Sequence, residues 1–201
     1  FIFNTLSTIN AVIMQEEPRN AYTYLTKFAQ LMHLSLDGAN QIVRSLKEEM
    51  QFIENYLDIQ QWRFSDKFDY RVAIQEHVDT GLQIPKLLIQ TRVEKALNQR
   101  IRNKKGKGML IVEARQEERH LVITVEDNGV GRTQARQYSE HASGRDIAPL
   151  TAFCELLNQY NREKLQTSVN DLKDKNGEAA GTKVVIQIPL NFKYVFHHAS
   201  S

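Results

Sequence analysis

Apolar residues in the first third of the chain recur at steps of three and four, and strict alternation of apolar and polar residues is absent over residues 1–64. This spacing predicts helices throughout the region. The most regular seam consists of Val43, Leu46, Met50, Ile53, Leu57, Gln60 and Phe64. A second seam with the same heptad rhythm, formed by Ile2, Leu6, Ile9 and Ile13, lies at the start of the sequence.

Residues 20–36 carry a third apolar face, made of Ala21, Leu25, Phe28 and Met32. Pro18 precedes this face, and Asp37 and Gly38 follow it, which are signals for the two ends of a helix. Two interpretations fit these seams: a self-contained helical hairpin, or a bundle that a second subunit completes. The seams alone do not separate them.

From residue 66 the pattern changes to that of an α+β domain. Phe68, Tyr70, Val72 and Ile74 alternate with polar residues, which predicts a strand with one wet face. Pro85 predicts the first residue of a helix that ends near Ile101. Further strands are predicted at 109–116, 119–126, 165–172 and 182–189, a helix at 147–160, and an aperiodic polar stretch at 132–143. Because clean crossover units are absent, we expect a largely antiparallel sheet with helices on one face.

The composition excludes several classes of protein. A formal charge of +2, from 26 basic and 24 acidic residues, argues against a general polyanion partner. The single cysteine, Cys154, cannot form an internal disulfide, which fits a reducing compartment. No apolar run approaches the roughly twenty residues of a membrane span. The opening FIFNTL lacks an initiator Met, so we expect an excised fragment.

Five cations cluster after the helix predicted from Pro85. They are Arg100, Arg102, Lys104, Lys105 and Lys107. Such a cluster attracts phosphates, but single-stranded nucleic-acid sites interleave aromatic residues, and this segment has none. We therefore expect a solvated loop and no nucleic-acid partner.

The segment LVITVEDNGVG places a carboxylate after the second strand of the predicted hairpin. Asp127 can accept a hydrogen bond from an exocyclic amine there, and Gly129 and Gly131 let the backbone approach a flat ring closely. That combination suits adenine. Asp-Asn-Gly is also a common turn signal, and the tripeptide alone favours the turn.

Three segments, in the expected order, resemble the GHKL superfamily of nucleotide-binding proteins. DNGVG resembles its first glycine box, AGTKVVIQIP its last box, and IPKLLIQTRVEKAL the helix that carries its metal ligand. The resemblance implies that Asp127 holds the adenine amine and that Gly129 and Gly131 open the lid. It also implies that Gly181 and Thr182 support the adenine through the hydroxyl and water, with ATP as cofactor.

Within that superfamily the chain is most similar to sensor histidine kinases of the LytS type. FIFNTLSTI resembles the end of their phosphoacceptor motif PHFxFNxLNxI, and LKEEMQFIENYLDIQQWRF resembles their second bundle helix. The resemblance implies a helical dimerisation and phosphoacceptor-type domain at 1–65. It further implies an ATP-binding sandwich of the GHKL (Bergerat) type, α+β with a mixed, largely antiparallel sheet, at 66–196, and a tail at 197–201.

The same resemblance implies a two-component function. In this family ATP binds, its γ-phosphate passes to a histidine on the dimerisation helix, and a response regulator then receives it. The resemblance implies a homodimer through the N-terminal helices and a cytoplasmic position, attached to an inner-membrane sensor only through parts outside these residues.

Three positions depart from the family pattern. The family's acceptor His precedes the residue that is Phe1 here. Lys95 stands where an asparagine coordinates magnesium, and an ammonium cannot ligate a cation, so the Mg²⁺ that the family implies is not expected to bind in the usual manner. The family's GxGL segment is here Gly144, Arg145, Asp146 and Ile147, which keeps only Gly144. Asp146 either repels a triphosphate or caps a helix.

Helical spacing places Thr91, Lys95 and Asn98 on one face, and pairs Gln90 with Glu94 on its neighbour. The first three are candidate nucleotide-binding residues. Lys95 either neutralises a phosphate, which would make nucleotide binding weakly metal-dependent, or turns to solvent or Glu94. Glu94 is the candidate catalytic carboxylate, and no metal-ligating set is predicted.

The departures together favour a kinase fold with impaired phosphoryl transfer. One alternative is a pseudokinase or scaffold that signals through dimerisation without phosphoryl transfer. Another is an ATP hydrolase of the gyrase and chaperone branch of the superfamily, for which Glu94 is the nearby carboxylate.

Overall fold

The computed structural model describes residues 25–33, 41–64, 67–138 and 148–194. The predicted seam at residues 2–13, Ala21, the phosphoacceptor-like FIFNTLSTI, Gly144 with Asp146, and the tail lie outside the described residues. Residues 25–33 form helix α1, which contacts the rest of the molecule through the buried Leu31 and an ion pair from Lys27 to Asp58. Leu25 of the predicted apolar face is exposed instead.

Helix α2, Leu46–Arg63, has the predicted apolar seam, and its members from Leu46 to Gln60 are buried. The prediction of helix throughout 1–64 is wrong at residues 43–45, because Val43–Ser45 form a short strand, β1. Strand β1 pairs antiparallel with β3, Gln83–Pro85. Pro85 therefore ends a strand and does not begin a helix, which corrects a second prediction.

Five strands of the described residues form one sheet, in the order β2-β4-β5-β7-β6. Their bounds are Phe68–Ile74, Gly108–Glu117, His120–Asp127, Gln166–Lys173 and Ala179–Pro189, for β2, β4, β5, β6 and β7 respectively. Strand β2 runs parallel to β4, and the other neighbours are antiparallel. The predicted α+β class with a mixed, largely antiparallel sheet is confirmed. The parallel pair needs one crossover connection, so the expectation that crossover units are absent is wrong between β2 and β4.

The crossover between β2 and β4 contains the helix that carries the candidate residues. Helix α3, Gln90–Lys95, continues into a π-helix, Ala96–Ile101. Two further helices follow the hairpin of β4 and β5: α4, Gly131–Tyr138, and α5, Ala148–Gln159. Helix α4 includes residues 132–138 of the stretch 132–143 that was predicted to be aperiodic, so that prediction is wrong for those residues. The predicted strand at 68–74, hairpin and helix near 147–160 are confirmed.

One hydrophobic core joins the helices to the sheet. Strand β4 alternates buried and half-buried residues, as expected for a strand with one covered face. Its buried side chains share a cluster with α2, α3 and the π-helix, which includes Phe52, Ile53, Leu57, Val93, Leu97, Leu110, Val112, Ile123, Val125 and Ile186. Helix α2 thus packs within the same core as the sheet, and the domain boundary at residue 65 stays a prediction. None of the described helices is long and apolar enough to cross a bilayer.

A capping box begins helix α2. Ser45 Oγ accepts a hydrogen bond from the Glu48 N–H at 3.2 Å, and Glu48 Oε2 accepts one from the Ser45 N–H at 2.9 Å. These reciprocal bonds satisfy donors that the first helical turn leaves unpaired. The hydrogen bonds from Ser45 hold the pKa of Glu48 below its ordinary value.

We expect Ser45→Ala to lower the free energy of unfolding by about 1 kcal/mol, because a cap is lost. Urea denaturation at neutral pH measures it, with the exposed Gln51→Ala on the same helix as the control. The difference between the variants should shrink as the pH falls through the lowered pKa of Glu48, since its charged form carries the bond. Equal losses for both variants would contradict the cap.

Candidate functional site

Asp127 ends strand β5 and lies between two neighbouring strands. Its register partners are Leu110 on β4 and Thr182 on β7. The next residue, Asn128, closes the hairpin end, since its Oδ1 accepts the Met109 N–H at 2.7 Å. The strand register therefore brings together Asp127 and Thr182, two of the residues that the family resemblance assigned to adenine. We call Asp127, Thr182 and the backbone of Gly129 and Gly181 the purine seat.

The carboxylate of Asp127 is bound within the protein. Arg100 Nε donates a hydrogen bond to Asp127 Oδ2 at 2.7 Å, and the Gly129 N–H donates to Oδ1 at 3.0 Å. Asp127 is 1% exposed and Arg100 is 5% exposed. The bond from Gly129, two residues on, is that of an Asx turn, so Asp-Asn-Gly also makes the turn that its sequence favours.

Burial and pairing act on Asp127 in opposite directions. Burial raises the pKa of Asp127 above the ordinary range of an aspartate, while the charge and hydrogen bond of Arg100 and the Gly129 N–H oppose that rise. A second guanidinium, Arg92, lies near Arg100, and burial lowers the pKa of Arg92. Asp127, the acid of the purine seat, is thus paired with a cation of the protein itself, Arg100, and Arg92 lies near that arginine.

The two glycines of the purine seat lie against neighbouring residues, Gly129 against Arg100 and Gly181 against the backbone of Asp127. A Cβ on Gly129 would lie 2.6 Å from Arg100 Cβ and 2.7 Å from its carbonyl carbon. A Cβ on Gly181, whose φ is +143°, would lie 2.0 Å from the carbonyl oxygen of Asp127. Gly131 has a φ of +73° at the start of α4. These positions require glycine for packing within the protein, without any ligand.

Thr182 differs from Asp127 in its partners. It is fully buried, and its Oγ1 makes no hydrogen bond within the described residues. Buried hydroxyls nearly always have a partner, so this one has spare capacity to donate and accept. It is the member of the purine seat that fits the predicted role.

Of the helix face predicted to contact phosphates, Thr91 and Lys95 lie on one helix, but Asn98 does not lie with them. Thr91 Oγ1 donates to the carbonyl of Leu87 at 2.7 Å, and Thr91 and Lys95 are one α-helical turn apart and half-buried. Asn98 lies on the π-helix and is exposed, so the spacing that grouped it with Lys95 does not hold there. The predicted pairing of Gln90 with Glu94 is confirmed, with Nε2 to Oε1 at 2.7 Å. Gly144 lies outside the described residues.

Several residues of the basic segment at 100–107 make contacts within the protein. Lys67 donates to the carbonyl of Arg102, Lys104 donates to that of Asn128, and Lys107 pairs with Asp69. The prediction of a solvated loop is wrong for Arg100, which is buried at the seat. No local signal distinguishes Arg100 from its neighbours in sequence, because its partner is 27 residues away. Among the described residues no group of three or more acids, histidines or cysteines could hold a metal ion.

Comparison with known proteins shows which proteins the chain is similar to. A family model described as "Histidine kinase" matches residues 1–68. The "Sensor protein LytS" of Staphylococcus saprophyticus is 34% identical over 131 residues, which cover 65% of this chain and 22% of that protein. That of Streptococcus agalactiae is 26% identical over 194 residues, covering 94% of this chain and 32% of that protein. The chain is therefore similar to LytS-type sensor histidine kinases, which confirms the predicted resemblance.

Similarity to solved structures is weaker. The "Mycobacterial sensor histidine kinase MprB" overlaps this chain with a TM-score of 0.46 and 16% identity, over 73% of this chain and 95% of that one. The fold assignment therefore rests on the helices and sheet described above. The chain spans only 22% to 32% of the length of the two LytS relatives named above.

ATP is the cofactor that the LytS family implies, and the purine seat can be tested for it. Thr182 fits, because its buried hydroxyl has no hydrogen-bond partner among the residues that the structure describes. Asp127 does not fit as it stands, because both its oxygens are bonded and it is closed from solvent. Lys95 supplies no oxygen for a metal ion. The residues present therefore do not fit adenine at Asp127, and the assignments of Thr91, Lys95, Asn98 and Gly144 stay predictions.

We expect Gly181→Ala to lower the free energy of unfolding by more than about 3 kcal/mol, because strain at its φ adds to a clash with the Asp127 backbone. Gly177→Ala is the matched control, since Gly177 also has positive φ, +82°, but nothing within 4 Å of the added Cβ. We expect about 1 kcal/mol there. Urea titration measures both, and similar losses would contradict the close packing of Gly181.

Proposed function

We propose that this chain is the transmitter region of a two-component sensor histidine kinase in which phosphoryl transfer is impaired. Its family supports the transmitter role. The impairment is supported by one observation above the others: the carboxylate that would hold the adenine amine is bonded to Arg100. Because phosphoryl transfer is catalysed mainly by positioning and charge stabilisation, loss of the purine seat reduces the rate without unfolding the domain.

The other parts of the function follow from the family and are proposed with it. The N-terminal helices form a homodimer, a response regulator receives the signal, and the segments that sense it lie elsewhere in a longer, membrane-attached protein on whose cytoplasmic side this region lies. Glu94 is the proposed catalytic carboxylate, held by the hydrogen bond from Gln90. Lys95 replaces the metal-ligating asparagine and would neutralise phosphate charge in its place.

A non-catalytic scaffold is the second candidate function. The bond between Arg100 and Asp127 also favours it, because it satisfies the buried acid without any nucleotide. In this version the dimer still forms and still contacts a response regulator, but rearrangement of the dimer carries the signal. The two candidates differ in whether any phosphate reaches the histidine.

Two measurements test the transmitter proposal. The chain is extended by a Pro-His pair before Phe1, with a Pro-Gln extension as control, and incubated with γ-labelled ATP beside the matched region of Staphylococcus saprophyticus LytS. We expect a dimer in analytical ultracentrifugation, and labelling of the Pro-His chain at least about tenfold slower than that of the relative, a barrier difference of about 1.4 kcal/mol.

The outcomes separate the candidates. Slow labelling above the Pro-Gln control supports an impaired kinase, and labelling equal to that control supports the scaffold. A monomer at all concentrations argues against a transmitter region. Labelling as fast as that of the relative would show that phosphoryl transfer is intact, which contradicts the impairment.

A further inference from the structure

Arg100 presents to Asp127 the same kind of group that an adenine amine would present. Both are N–H donors, and an ionised carboxylate accepts from either. The Arg100 side chain reaches the carboxylate at 2.7 Å and is buried with it. A guanidinium also carries a charge, so its bond to a carboxylate is stronger than that of a neutral amine. Arg100 therefore has an advantage over a purine at this acceptor.

The backbone around Arg100 is shaped to hold it there. Arg100 lies in the π-helix, where the Arg102 N–H bonds to the carbonyl of Leu97, five residues earlier, at 2.9 Å. A π-turn contains one more residue than an α-turn, so it changes the direction of the side chains that follow Lys95. Such turns are frequent at functional sites.

The loop after β5 packs directly on Arg100. The Val130 N–H donates to the Arg100 carbonyl at 3.4 Å, and the absence of a side chain at Gly129 leaves room for the Arg100 backbone. Asp127, the loop at 128–130 and the π-helix thus contact one another, and Asp127 is closed from solvent. Removing the Arg100 side chain would free Asp127 Oδ2 without requiring the backbone to move.

Within the described part of the chain, Thr182 Oγ1 has no hydrogen-bond partner. The purine seat therefore keeps the residues predicted to bind a purine, while the Arg100 side chain occupies the acceptor Asp127. We propose that Arg100 determines nucleotide access: its guanidinium takes the place of the adenine amine at Asp127 and keeps purine nucleotides out. The inference rests on the family's purine seat used in the proposed function, but not on dimerisation or phosphoryl transfer. Removing Arg100 should give the chain an affinity for adenine nucleotides.

The test compares ADP with inosine diphosphate, which has a carbonyl oxygen where adenine has the exocyclic amine. Isothermal titration is run on the unaltered chain, on Arg100→Ala and on the double variant Arg100→Ala with Asp127→Asn. We expect Arg100→Ala to bind ADP at least about tenfold more tightly than the unaltered chain does, and more tightly than it binds inosine diphosphate. The double variant should lose this preference, because the ionised acceptor is gone.

Arg100→Ala leaves a buried carboxylate without its charge partner, which destabilises folded proteins. Circular dichroism checks its fold. Should it not fold, Arg100→Gln replaces it, since the shorter amide keeps an N–H donor without the charge, and we expect the same preference for ADP in weaker form.

Three results would overturn the inference: ADP binding by the unaltered chain that equals that of the variant, a folded variant that does not bind ADP, and equal binding of the two nucleotides. The dimer and the rate of labelling, which test the proposed function, are measured in separate experiments, so failure of one proposal is distinguished from failure of the other. A purely structural ion pair would change stability alone and would not create selectivity for the amine.

Discussion

A buried ion pair between Arg100 and Asp127 is the constraint on which the rest of this site depends. A carboxylate that is 1% exposed cannot remain charged at low cost unless it is paired and hydrogen-bonded, and here the pairing comes from the protein. The glycines at 129 and 181 leave room for that contact, and the π-helix contains the arginine. The sheet is thereby closed to solvent where Asp127 of β5 lies beside Thr182 of β7, because a side chain of the protein itself covers the acid.

This constraint fits the proposal that the fold is kept while phosphoryl transfer is impaired. The sheet, the hairpin and the core of α2 and α3 do not need a nucleotide, since their apolar side chains share one cluster. The seat retains the strand register that places Asp127 beside Thr182. In the proposed function, the bond of Asp127 to Arg100 and the presence of Lys95 on the neighbouring helix account for the impaired chemistry. Under the proposed function, the architecture therefore remains when nucleotide binding at the purine seat is lost.

Strand β2, the hairpin and helix α5 could be predicted from the sequence because their periodic patterns are local. Three features could not. Pro85 ends a strand because β1 pairs with it from 42 residues away, and the π-helix is a departure in hydrogen bonding that leaves no periodic mark. Arg100 stands in a run of cations, and only the tertiary fold selects it as the partner of Asp127. The motif predicted a carboxylate at the end of β5, where Asp127 lies, but a motif carries no information about an internal partner such as Arg100.

The most direct measurement of the central claim is the NMR signal of the Arg100 Nε–H, assigned by its loss in Arg100→Lys and followed while ATP with magnesium is added to the unaltered chain. A donor that is buried and bonded to Asp127 should give a resolved signal that exchanges slowly with water and keeps its shift as nucleotide is added. A signal that exchanges as fast as that of an exposed arginine, or that shifts as ATP saturates the chain, would contradict the closed seat.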